Sequence, residues 1–434
     1  MTDSTVLTNW TDGGSEEKRE TDFVSTGWAH RSPIDQWREL LSPEYFNIVP
    51  DLWLQFPPPS IEAHQVLGAV YTLIMVPGVL GNVLLIWIVC STKALRTPSH
   101  ILVVNLAISD FLMMTEIPLF IYNSFCQKAA FGVWGCQLYG FIGALTGTTA
   151  IMTIAAMAGE RYYSISRPLD PSRRMTRARA TVIVVCIWIY SFTFSVMPLF
   201  RINQYVPEGY LSSCSFDYLT SDLKSRVYVL VFFIAAWCVP MVIICLSYFG
   251  IIFIVRKKQF IYQNQEQGIN LERFNIQKHR KNEIKLSKIV FALISFWMIS
   301  WTPYAMVALL GISFNQKLLT PTISMVPALF CKTASVIDPF LYGLSHPRFK
   351  AALKKKVSCL HITNKNTKRK RSFNIHSFQH ASLESRESLD RQLPPINRYR
   401  GDSSETSFQN ISLTIIHPQK GRPKRKYSNS FSNH

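Results

Sequence analysis

The segment LFCKTASVIDPFLY, residues 329–342, sets one amine in an apolar stretch. Lys332 is the sole charged residue between Leu318 and Ile337. At 1.5 Å per helical residue it lies roughly 16 Å from either end of its run, farther than a lysine stem reaches. Such an ammonium must be paired, sit in a wet cavity or be chemically converted. A desolvated amine is nucleophilic and condenses with aldehydes. An ion-pair lysine of a transporter or channel fits the same pattern, and the residue alone leaves both open. Asp110, Glu116 and Asp338 share its apolar setting, and ionisable residues there are expensive enough to read first as functional. No nucleophile–base set and no metal-ligand spacing occurs, so neither an enzyme nor a metalloprotein is expected.

The elements that must position these residues follow from hydropathy. The chain has 434 residues, 48% hydrophobic, with a formal net charge of +19. Its apolar residues form runs at about 66–90, 101–122, 138–158, 181–200, 226–255, 286–311 and 321–343. Each is near or above the roughly 20 residues needed to cross a bilayer as a helix. The expected architecture is all-α: a seven-helix membrane bundle over 61–344. Basic residues gather in the 93–100, 161–180 and 255–285 connections, which places those loops and the C-terminus inside and the N-terminus outside. The net charge is thus a topology signal, and no nucleic-acid partner is expected.

Residues 1–60 are polar and end in FPPPS, which predicts a mostly disordered extracellular arm. The sequon at Asn9 is a glycosylation candidate on that side, or a chance tripeptide. HPRFKAALKKKVSCLHI, within 345–362, has a basic face and an apolar face of Phe349, Leu353, Val357 and Leu360. It predicts a short amphipathic helix on the inner leaflet, with Cys359 as a palmitoylation candidate. Residues 363–434 read as a disordered cytoplasmic tail. Among the nine cysteines, Cys136 and Cys214 both fall on the oxidising side, where a bridge is expected; Cys126 competes with them.

Further motifs choose between the readings of Lys332. GNVLLIW (Gly81, Asn82) lies in the first run and NLAISD (Asn105, Asp110) in the second. GERYYSISRP (Glu160, Arg161) ends the third, Trp188 lies in the fourth, and Pro240 with Tyr248 in the fifth. SWTPY (Trp301, Pro303, Tyr304) lies in the sixth and DPFLY (Asp338, Pro339, Tyr342) in the seventh. Together they resemble the rhodopsin-like class of G-protein-coupled receptors over nearly all of 64–362. A lysine six residues before the Asp-Pro pair marks the opsins. SHPRF, NLAISDFLMM and IYNSF look most like rhabdomeric-type opsins of arthropods, near the short-wavelength or ultraviolet group or a divergent insect group.

The resemblance implies a photoreceptor in which Lys332 holds retinal, 11-cis or a 3-hydroxy variant, as a protonated Schiff base. It implies Glu208, six before Cys214, as counterion, because the third-helix position of the vertebrate counterion is Tyr139 here. Glu116, twenty before Cys136, stands where many insect ultraviolet opsins have lysine; it is a possible counterion or tuning residue, or a protonated glutamate bonded to backbone. The same resemblance assigns the pocket walls to Tyr139, Gly140, Gly143, Ala144, Gly147, Tyr218, Trp297, Trp301, Tyr304 and Ala328. Helix packing alone also accounts for the small residues 140, 143, 144 and 147 on one helical face.

At the inner end, an Arg161–Glu283 pair beside Glu160 is expected to hold the inactive state, with Tyr248, Asp338, Pro339 and Tyr342 in the switch. As a surface salt bridge it would bias that switch only weakly. Asp338, with Asp110 and Asn82, is a candidate water or sodium cluster. Implied partners are a lipid membrane, a heterotrimeric G protein of the Gq class, a receptor kinase and arrestin, at the plasma membrane. The third inner loop, though basic, lacks the basic-alanine signature typical of Gq-coupled arthropod visual opsins. The alternative is a ligand-activated receptor of the same class, with Lys332 pairing an acidic ligand.

Overall fold

The computed structural model describes residues 31–127, 129–166, 175–263, 271–313, 316–356 and 358. The chain forms two units, Met1–His361 and Ile362–His434, and the described residues belong to the first. Asn9, Cys359, Val357, Leu360 and the tail lie outside the described residues.

Seven helices are long and apolar enough to cross a membrane: Ile61–Ser91, Pro98–Cys126, Gly132–Ser166, Arg177–Phe200, Leu223–Lys257, Glu283–Ile312 and Pro321–Gly343. They are called the first to seventh spans below. The first six outrun their hydropathy-defined runs, because polar cap residues and basic ends extend a helix without adding apolar character, and the seventh coincides with its run. Ser60 accepts from the Ala63 N–H and Thr320 from the Ile323 N–H, satisfying amides that have no intrahelical partner. Leu73, Leu80, Ile189, Leu246, Phe249 and Ile299 are exposed, as expected of helices solvated by hydrocarbon.

The third span is central, packing against the second, fourth, fifth and sixth. Polar ties lock this core. The Trp188 indole donates to Asn105 Oδ1 at 2.8 Å, and Asn105 Nδ2 donates to Thr153 Oγ1 at 2.8 Å. The fifth span breaks regular α geometry over Ile234–Cys238, a π-helical turn two residues before Pro240. After the seventh span, residues 347–356 are helical, with Phe349 buried against the Tyr342 ring.

One outer feature departs from expectation. Residues 1–60 are not uniformly an unstructured arm: Pro33–Leu40, Pro43–Phe46 and Asp51–Leu54 are helical. Ser32 and Ser42 cap the first two, each followed by proline at the first helical position, a strong local start signal. Trp37, Tyr45 and Trp53 are buried, so average polarity concealed three aromatic anchors. The second outer loop is a hairpin. β1 (Tyr205–Glu208) pairs antiparallel with β2 (Ser213–Phe216), with Glu208 opposite Ser213 and Pro207 opposite Cys214. Its turn uses Gly209 at φ +59°, where an added Cβ would approach the Pro321 carbonyl to 3.0 Å.

Candidate functional site

Helix geometry and the hairpin bring the sequence-distant charges together. Pro327 and Pro339 flank Lys332 within the seventh helix, and Pro118 follows Glu116 by two residues in the second. Each proline removes one backbone hydrogen bond and loosens its helix locally. Lys332 Nζ forms an ion pair with Glu116 Oε1, with the Lys332 side chain 8% exposed and that of Glu116 fully enclosed. Nζ also lies 3.7 Å from Met113 Sδ and 5.2 Å from the centroid of the Tyr139 ring. A cation over an aromatic face gains electrostatic support. Glu116 is therefore engaged by Lys332 and not by helix backbone. Its second oxygen, Oε2, finds no protein partner among the described residues. An ion pair buried this deeply must be held in good geometry to offset desolvation.

The hairpin supplies the second carboxylate. The disulfide Cys136–Cys214 ties β2 to the outer start of the third span, and Cys126 is a free thiol. At the hairpin base the Asn203 and Asp217 backbone and side chain exchange two hydrogen bonds of 2.8 Å. Glu208 thereby turns inward and is buried. Its Oε2 accepts from the Tyr218 hydroxyl at 3.1 Å and the Tyr304 hydroxyl at 3.2 Å. Burial pushes the Glu208 carboxyl up to about 7; the two phenol donors and the Lys332 charge pull against that shift. Among the described residues, the ion pair of Lys332 is with Glu116 and not with Glu208.

One cavity joins these groups. Lys332, Glu208, Tyr139, Gly140, Gly143, Ala144, Gly147, Trp297, Trp301, Tyr304 and Ala328 all line it. Tyr218 does not; it stands behind Glu208 and shares a hydrogen bond with Ser324 at 3.0 Å. Glu116 sits behind Gly143, where an added Cβ would come within 3.2 Å of its Oε2. Sequence reasoning missed Ser213 and Phe216 of β2 and Phe232, Phe233, Ala236 and Trp237 of the fifth span. The aromatic cluster just before Pro240 was the available signal. The π turn that presents part of it was not legible.

At the inner end, Arg161 pairs with Glu160 and, through Nη1, with Glu283 Oε2 at 2.7 Å. Their side chains are only 7%, 9% and 14% exposed. This is not the weak surface salt bridge expected above, because its side chains are largely buried. Breaking a buried pair costs far more than breaking an exposed one. The Tyr248 hydroxyl donates to the Ser287 carbonyl at 2.7 Å, linking the fifth and sixth helices. Tyr342 stacks on His346. Asn82 donates to the Gly78 and Ser335 carbonyls, both at 2.9 Å. Asp110 Oδ2 and both Asp338 oxygens are buried without a protein partner among the described residues.

Comparison with known proteins agrees with this geometry. The family model described as 7 transmembrane receptor (rhodopsin family) matches residues 81–342. The ultraviolet-sensitive opsin of Apis mellifera is 38% identical over 321 residues, covering 73% of this chain and 86% of that protein. A protein of Mizuhopecten yessoensis named "Rhodopsin, GQ-coupled" is 35% identical over 358 residues, covering 82% of this chain and 71% of that one. The crystal structure of squid rhodopsin superposes with a TM-score of 0.69 at 31% identity, covering 74% of this chain and 91% of that chain. With seven spans, a buried lysine–carboxylate pair and opsin relatives of this extent, the chain belongs to the opsins, photoreceptors of the rhodopsin family of seven-transmembrane receptors, near the ultraviolet-sensitive insect group.

Proposed function

We propose that Lys332 is the attachment site of retinal, that Glu116 is its immediate counterion, and that light absorption is relayed to a heterotrimeric G protein. The observation that carries this reading is the Lys332–Glu116 pair beside a cavity walled by aromatic and small side chains. The residues suit the group: an amine, a carboxylate to balance charge, an aromatic face under the cation, and glycines and alanine beside a planar polyene. When bound, retinal would supply an aldehyde for the Lys332 amine and a light-absorbing polyene, with Glu116 placed to balance positive charge at Nζ.

The chain's own groups do the rest. Glu116 and the Tyr139 face hold positive charge at Nζ, and Glu208 adds a second, titratable acid held by Tyr218 and Tyr304. Trp301 stacks on Trp297 at 5.4 Å, two residues before Pro303. Displacing Trp301 therefore bears on a hinge in the sixth helix. Rotation of that helix would part Arg161 from Glu283 and open the inner cavity that both line. The partner favoured is a Gq-class protein, after the printed name of the scallop relative. The distribution of basic residues among the loops favours an N-terminus outside and a C-terminus inside the plasma membrane, and the serine-rich tail would serve a receptor kinase and arrestin.

The deciding experiment is reconstitution of the full chain with 11-cis-retinal. An absorption band that bleaches or shifts in light, and that is missing in Lys332→Ala, is expected. No band from wild-type protein would sink the reading.

A further inference from the structure

The π turn at Ile234–Cys238 and the proline that follows it together strand one backbone carbonyl. The Ala235 carbonyl would ordinarily bond the amide four or five residues on, at Val239 or Pro240. The Val239 N–H goes to the Ile234 carbonyl, in the π pattern, and proline has no N–H to give. Ala235 is 4% exposed. A buried carbonyl without a donor is costly, most of all inside a bilayer. The donor comes from another helix: the Tyr190 hydroxyl, on the fourth span, donates to the Ala235 carbonyl at 3.0 Å.

The same turn builds a wall of the cavity beside Lys332. Ala236 and Trp237 of the turn, with Phe232 and Phe233 before it, line that cavity, and Trp237 stacks on Phe233 at 5.5 Å. A π turn holds one residue more than the α turn it replaces. Closing it to α geometry would re-aim the residues on its outer side by up to about 100°, one residue of helix. Tyr190 does not line the cavity, so it acts on a ligand there through the turn. The seam between the fourth and fifth spans has another tie, since the Tyr228 hydroxyl donates to the Phe194 carbonyl at 3.1 Å. The Tyr190 bond is therefore not what joins the two helices; it answers the stranded carbonyl.

We propose that Tyr190 is a positioning residue of the retinal site. By supplying the donor that the π turn and Pro240 withhold from the Ala235 carbonyl, it holds the turn in place and fixes how Phe233, Ala236 and Trp237 face the ligand. This inference rests on the retinal reading above and adds to it a residue outside the cavity. Polarisable rings beside a polyene alter the energy of its absorption, so their placement is read directly in the spectrum. The proposal also couples Tyr190 to Pro240 through one carbonyl. Pro240→Ala restores an N–H five residues beyond Ala235, the donor of the π pattern, and makes the phenol dispensable.

The test is a double-mutant cycle on the full chain: wild type, Tyr190→Phe, Pro240→Ala and the two combined, each loaded with 11-cis-retinal. Tyr190→Phe keeps the ring that packs on Phe194 at 5.1 Å and removes the donor. Its absorption band is expected to move from the wild-type position, which a merely destabilising substitution would not cause. Its retinal is expected to be lost to hydroxylamine in the dark about tenfold faster, the equivalent of about 1.4 kcal/mol for one unmet carbonyl. In the Pro240→Ala background, Tyr190→Phe is expected to change neither band nor rate. A wild-type band and rate in Tyr190→Phe, or equal effects of that substitution in both backgrounds, would overturn the assignment. If Tyr190→Phe binds no retinal, recovery of binding in the combined variant supports the assignment and failure to recover overturns it. If Pro240→Ala binds none, the band and rate of Tyr190→Phe alone decide. No band from the wild-type chain would overturn the retinal reading itself, a result distinct from all of these.

Discussion

Lys332 and Glu116 lie 216 residues apart, on the seventh and second spans, and form a buried ion pair beside the cavity that Lys332 lines. The pair ties two non-adjacent stretches of chain through the centre of the bundle. Glu116 Oε2 remains without a protein partner, so the carboxylate keeps acceptor capacity beyond its bond to Lys332.

Glu116→Gln leaves Lys332 as an unpaired charge in a dry site. Removing one partner of a buried pair costs about 3–5 kcal/mol. The retinal-free variant is expected to unfold at a clearly lower temperature than wild type. Glu116→Gln combined with Lys332→Met should recover most of that loss, since no lone charge remains. Equal destabilisation of the single and double variants would show that the pair contributes through packing alone.

Glu208 carries a pH dependence of definite sign. Its folded-state pKa is raised from 4.5 to about 7. A carboxyl raised in this way contributes stability that is complete below the unfolded pKa and is lost as pH rises through the folded one. Stability of the retinal-free protein should therefore fall between pH 4.5 and about 7 and level above it. The change is of order 3 kcal/mol at 1.36 kcal/mol per pH unit. Glu208→Gln should flatten this window in a thermal-unfolding series, and an unchanged slope would assign the dependence elsewhere.

Arg161 is held by Glu283 across the inner ends of the third and sixth helices. Glu283→Gln weakens that charge-assisted contact while Glu160 still neutralises the arginine. A loss of about 1.4 kcal/mol from the inactive state is a tenfold population shift. Dark nucleotide exchange on a Gq-class protein should rise by about that factor, and a dark rate equal to wild type would remove the pair from the switch.

The outer helices are structural. The Tyr45 hydroxyl donates to the Leu211 carbonyl at 3.0 Å and lies 3.6 Å from Cys214 Sγ, above the disulfide. Tyr45→Phe should lower stability by about 1 kcal/mol, one hydrogen bond. Trp53→Ala, which empties a site 1% exposed, should cost about 3–5 kcal/mol. With retinal bound, both variants should lose it faster to hydroxylamine, because the segment covers the hairpin that walls the cavity.

Sequence by itself determined the seven spans, because twenty-residue apolar runs have one stable solution in a bilayer: the helix. It also placed Lys332 at mid-membrane, since rise per residue converts position in a run directly into depth. Ordered motifs from Gly81 to Tyr342 marked the family, and eleven of the residues singled out for the retinal site line one cavity. What it left open were the contacts made between elements. Two carboxylates, Glu116 and Glu208, competed for Lys332, and only the packing of the second span against the seventh put Glu116 on the amine. Hydropathy averages hid the helices at 33–54, because a few buried aromatics such as Trp37 and Tyr45 anchor a segment that is polar on average. The π turn at Ile234–Cys238 and the burial of Arg161 against Glu283 of the sixth helix leave no local signature. Both are settled by how helices seat against one another, where a shift of one residue changes which side chain faces the cavity.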